Sequence, residues 1–284
     1  MMVNRTIPIT TRLGIFFGGI LTQMGWWFFG FGLIFVWSFG LNADLSFIQF
    51  RGEVATVKGQ VARIVATNSS ENDRRIYEYH FVTTIEEGTP IGGVSYSSTN
   101  HTIQEGDTVT IEFPAEKPQY ARIQGMRNAG FPVWVLFVVI FPLIGAIFIV
   151  IGLLGAIKTL RLLQYGMFTT ATLVSKERTN TTINNQYVYK LLFRFADSWG
   201  NEHEFTNRTH RTYLVDDEPV ERIAYLPNNP QNAIPLDTVQ YVPLLDEHGP
   251  IEAIPINIVL LRLIVPVLTI VGHGAFILYR FVLG

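Results

Sequence analysis

The densest run of side chains capable of chemistry is Glu202-His203-Glu204, with His210 downstream. Histidine and carboxylate ligands suit Zn²⁺. The run is not His-Glu-x-x-His, the helical spacing that sets two imidazoles on one face. Residues 202–206 read as a strand, on which His203 points away from both glutamates. A solvated strand face is expected. A metal reading would rest on His203, Glu204 and His210 alone, and no cofactor is expected. His80 and His101 stand apart as polar surface. Asp216-Asp217-Glu218 reads as an acidic turn, with oxygens of the kind Ca²⁺ uses.

Other chemistries find no support. Gly93-Val94-Ser95 does not complete the Gly-x-Ser-x-Gly elbow. Gly88 and the Gly92-Gly93 pair belong to hairpins rather than to a phosphate-cradling loop. The 284 residues include no cysteine, which excludes disulfides, thiolate zinc sites, iron–sulfur clusters and thiol nucleophiles. Asn68, Asn180 and Asn207 each begin Asn-x-Ser/Thr and read as turn composition. No catalytic residue is assigned, and no enzymatic activity is expected.

Two ionisable residues fall inside an apolar run, Arg262 and His273. An intramembrane ionisable residue is a functional candidate by default. Arg262 lies near the start of its run and is expected to snorkel toward water.

The elements that would position these residues divide sharply in composition. Hydrophobic residues make up 48% and charged residues 15% of the chain; soluble domains average about 25% charged. Residues 13–41, 131–157 and 256–279 are apolar runs, each long enough for the ~20 residues that cross a bilayer. Trp26, Trp27, Trp37, Trp134 and Tyr279 suit an aromatic belt. Arg5 and Arg12 precede the first run, which is too long for a signal peptide and reads as a retained anchor. Gly14, Gly18, Gly25, Gly30 and Gly32 permit close helix contact, within the chain or between copies. Pro142 and Pro266 are expected to kink their helices.

Between the runs the period changes to two. Residues 54–65, 76–82 and 108–113 alternate, with turn signals at 68–73, 86–90 and 105–107. This is the pattern of short antiparallel strands with one wet face. Residues 169–174, 187–195, 202–206 and 220–226 repeat it, with turns at 180–185 and 197–201. The stretches align without a gap. Tyr77 matches Tyr189, 112 positions on (189 minus 77). That offset also pairs Phe81 with Phe193, Gly88 with Gly200, Ile111 with Ile223, Phe113 with Tyr225 and Ala121 with Ala233. A tandem duplication of span plus β-domain is expected. The predicted organisation is a tail (1–12), a span (13–41), a β-domain (42–130), a span (131–157), a β-domain (158–255), a span (256–280) and a tail (281–284). The fold class is membrane α plus β: three transmembrane helices with two small antiparallel barrel or sandwich domains.

These residues carry a resemblance. Ala55-Thr56-Val57, Gly59 and Val61 lead to Tyr77, Tyr79 and Phe81. Then come Gly106-Asp107, Val109, Ile111 and Phe113, and finally Pro118-Gln119 and Ala121. The second copy keeps Tyr189, Phe193, Tyr225, Pro230-Gln231 and Ala233, but has Glu218-Pro219 where the first has Gly-Asp. The pattern resembles the bacterial membrane family defined by the domain of unknown function numbered 3592. The resemblance implies a multi-pass protein of the bacterial inner (plasma) membrane with small β-domains. It brings no catalytic residues.

Three single crossings would put the two β-domains on opposite sides of the membrane. Arg5 and Arg12 favour a cytoplasmic N-terminus, Lys158 and Arg161 a cytoplasmic second domain; Arg122, Arg127 and Arg280 pull the other way. The net charge of −2 gives no electrostatic case for nucleic acid. The expected partners are the bilayer and either a partner protein or a second copy of the chain. The expected role is a non-enzymatic envelope scaffold acting through its β-domains. The alternatives are a component of a transport or channel assembly, built on Arg262 and the Pro-kinked spans, and a membrane-bound metallohydrolase.

Overall fold

A computed structural model describes residues 4–84, 90–99, 102–183, 185–215, 219–239 and 251–283. Gly88 with its turn, His101 and Asp216-Asp217-Glu218 lie outside the described residues. Two compact units divide the chain: residues up to Gly30 together with those from Leu143 onward, and Phe31–Pro142.

Three helical segments are long and apolar enough to cross a membrane: Ile20–Asn42, Val133–Tyr165 and Ile256–Leu283. Leu261, Leu268 and Val271 are exposed, and a helix apolar on its outer face requires lipid around it. The chain is a multi-pass membrane protein. The first apolar run is broken in two. α1 (Ile9–Gly18) ends at Gly19, whose backbone is extended, and α2 (Ile20–Ser38) begins the crossing. Two successive glycines are poor helix formers, so the break falls there. A short turn, α3 (Ser46–Gln49), follows.

The next span opens with 3₁₀ turns over Val133–Val139 and continues as α4 (Ile140–Tyr165). Pro142 therefore falls in the first α-turn, just after the pitch changes from 3₁₀ to α. Pro266 lies buried inside α5 (Ile256–Leu278).

The first β-domain comprises β1 (Val54–Glu71), β2 (Arg74–Thr84), β3 (Pro90–Ser97), β4 (Thr108–Pro114) and β5 (Arg122–Ile123). The second comprises β6 (Met167–Ile183), β7 (Gln186–Ala196), β8 (Glu202–Thr209), β9 (Glu221–Leu226) and β10 (Asn229–Pro235). Each forms an antiparallel sheet of five strands, ordered β3-β2-β1-β4-β5 and β8-β7-β6-β9-β10. Val61 pairs with Phe81 and Ile64 with Tyr79; Leu173 pairs with Phe193 and Lys176 with Leu191, each 112 positions on. The register slips at matching places, between Val61 and Arg63 and between Leu173 and Ser175.

The sheets curl. Tyr96 of β3 exchanges backbone hydrogen bonds with Arg127 at 2.9 and 3.1 Å, and Ser95 Oγ accepts the Ile123 N–H at 2.8 Å. β10 likewise lies against β8. The outer edge of β3 is thus partly occupied by its own domain. Phe81 and Ile111 centre the first core, Phe193 and Ile223 the second. Each such side chain contributes about 1.5–3 kcal/mol on burial. One exchange differs between the domains. Gly93 leaves space filled by the Phe81 ring, whereas Phe205 at the matching position stacks on Phe193 with centroids 5.2 Å apart.

Candidate functional site

β7 and β8 pair as far as Ala196 and Glu202, so the chain must reverse over Asp197-Ser198-Trp199-Gly200-Asn201. Gly200 takes φ +84°, a value glycine adopts without penalty. Asp197 organises the rest. Its Oδ1 accepts the backbone N–H groups of Trp199 and Asn201, both at 2.9 Å. Its Oδ2 accepts the Asn201 side-chain amide at 3.2 Å and lies 2.9 Å from His203 Nε2. The Ser198 N–H donates to the hydroxyl of the core residue Tyr225 at 3.2 Å, tying the loop to the β-domain. Burial opposes the Asp197 charge, but the hydrogen bonds from His203, Asn201 and Trp199 outweigh it and hold the carboxyl well below the usual carboxylate range. The result is a rigid hairpin that leaves the Trp199 side chain 68% exposed.

The metal candidates separate. His203 is held by Asp197 and packs beside Phe195, with ring centroids 5.6 Å apart. Glu204 pairs instead with Arg194, Nη2 to Oε1 2.8 Å. His210 lies past the end of β8. Among the described residues no group of three or more His, Cys, Asp or Glu is arranged to hold a metal ion.

The intramembrane candidates are both bonded to backbone. Arg262 Nη1 donates to the Gly14 carbonyl at 2.5 Å, and its guanidinium fills the place a side chain at Gly18 would take. His273 Nε2 lies 2.9 Å from the Gly30 carbonyl. Gln23 joins the network, its Nε2 donating to the carbonyls of Phe17 at 2.6 Å and Arg262 at 2.8 Å. The glycines make these approaches possible. A Cβ on Gly25 would meet the Ile149 N at 2.7 Å and the Gly145 O at 2.9 Å, and one on Gly30 would strike Thr269. The glycine set of the first run thus serves contacts between helices of this one chain.

Asp197, Trp199 and Gln23 were not singled out by sequence. The turn at 197–201 was legible, but the link from Asp197 to His203 depends on the pairing of β7 with β8. Gln23 carried a signal, being an amide in an apolar run. Set against protein-family models and against curated proteins, the chain matches none.

Proposed function

We propose that this multi-pass protein is a non-enzymatic scaffold of a bacterial plasma membrane, which holds a partner protein or a second copy through its β-domains. The carrying observation is Trp199, exposed on a hairpin whose backbone is fixed by Asp197. Tryptophan is the residue type most enriched at binding hot spots, and a rigid backbone reduces the entropy lost when it docks. The proposal includes descent of the two β-domains from a tandem duplication. Support comes from pairings that repeat at one offset of 112, slips included. The strand-and-turn resemblance to the domain of unknown function numbered 3592 belongs to the same proposal.

A role in transport draws less support, because Arg262 and His273 each bond a backbone carbonyl. A different reading of Trp199 has a specific basis: Ser198 Oγ lies 4.0 Å from Met167 Sδ, two residues past the end of α4. From there Trp199 could reach the lipid headgroups as an interfacial anchor. Native electrophoresis of gently solubilised membranes tests the scaffold. Trp199→Ala is expected to reduce the size of the assembly without lowering the melting temperature. An assembly of unchanged size contradicts the proposal.

A further inference from the structure

A cleft of about 570 Å³ opens in the unit formed by residues up to Gly30 and from Leu143 onward, lined by Gly18 and Gly19 at the α1–α2 junction, by α4, by Arg262 and by the second β-domain. Among the described residues two cations line it, Lys158 and Arg262, and no acidic residue does. Asn207 and Thr238 add neutral polar groups from the β-domain side. Ile20 and Ile151 continue the lining into the membrane-crossing segments. Ile151 stands seven residues before Lys158, about 10 Å deeper along α4. A Cβ on Gly155 would meet nothing within 4 Å, so this wall faces open space.

One cavity thus joins a cationic, hydrogen-bonding end to an apolar end at membrane depth. That combination fits an amphiphile with an anionic head. We propose that the cleft binds the phosphate headgroup of an anionic phospholipid. Arg262 and Lys158 hold the phosphate, and Ile20 and Ile151 receive the start of an acyl chain. A guanidinium offers five N–H donors in a planar fork matched to phosphate, so Arg262 bonds phosphate from a fixed seat on Gly14. This inference is independent of the Trp199 hairpin.

The test uses the full-length protein in bilayer discs, with spin-labelled phosphatidylglycerol and phosphatidylcholine as probes. The wild type is expected to prefer phosphatidylglycerol. Lys158→Gln and Arg262→Gln should each lower that preference by about fivefold, the usual contribution of one cation near anionic lipid. Gly155→Leu should lower it by filling the cleft with the charge unchanged. Arg161→Gln, on the same helix but outside the cleft, should leave it intact. Melting curves identify any variant that fails to fold, and Lys158→Gln with Gly155→Leu then suffice. The proposal is overturned if the wild type shows no preference or if Arg161→Gln lowers it equally. Displacement of the lipid by millimolar inorganic phosphate would also overturn it, since the site would then hold a free anion.

Discussion

His203 Nε2 stands 2.9 Å from Asp197 Oδ2 across the hairpin that carries Trp199. The carboxylate is the hub of that hairpin, so the hairpin should depend on its charge. The folded pKa of Asp197 lies below its unfolded value. Such a group stabilises the fold above the unfolded pKa, about 3.9, and that contribution is lost as pH falls from there through the folded value. The expected outcome is a melting temperature that drops below about pH 4. Asp197→Asn should melt lower than wild type at neutral pH and show a flatter acid dependence. Thermal scans from neutral pH into acid check this.

Gly25 and Gly145 form a contact that leaves no room for side chains. Gly25→Leu is expected to lower stability in detergent by about 1–3 kcal/mol, the usual cost of overpacking. Gly272→Ala on α5, where a Cβ would meet nothing within 4 Å, should be tolerated. Parallel melting of the two variants separates packed from lipid-facing glycines.

Much of the fold was legible because each element shows its period in its side chains. Three apolar runs gave three spans, and alternation at 76–82 gave the strand observed as β2. β3 was not read, since Gly92, Gly93 and Ser95 blur the alternation of Pro90–Ser97. The break at Gly19 was missed because hydropathy is continuous through it. The site was far less legible. His203 drew notice for its glutamate neighbours, yet its partner is Asp197, six residues back and brought close only by strand pairing. The bond between Arg262 and Gly14 links residues 248 apart, and no local pattern encodes it.

Phe81 and Phe193 occupy matching places, and both are almost fully buried. Replacement of either by alanine is expected to cost about 3–5 kcal/mol. The two losses should differ in one respect: Phe193→Ala also removes the ring on which Phe205 stacks. Phe205→Ala should therefore destabilise less in a Phe193→Ala background than in wild type. A double-mutant cycle measured by denaturant unfolding checks this.

The scaffold role rests on Trp199, and the most direct measurement places a photoreactive amino acid at that position in native membranes. Irradiation is expected to join the chain to a partner protein or to a second copy, giving a discrete larger product. Asp197→Ala, by releasing the hairpin, should weaken that product. Adducts with lipid alone would contradict the account and make Trp199 a membrane anchor.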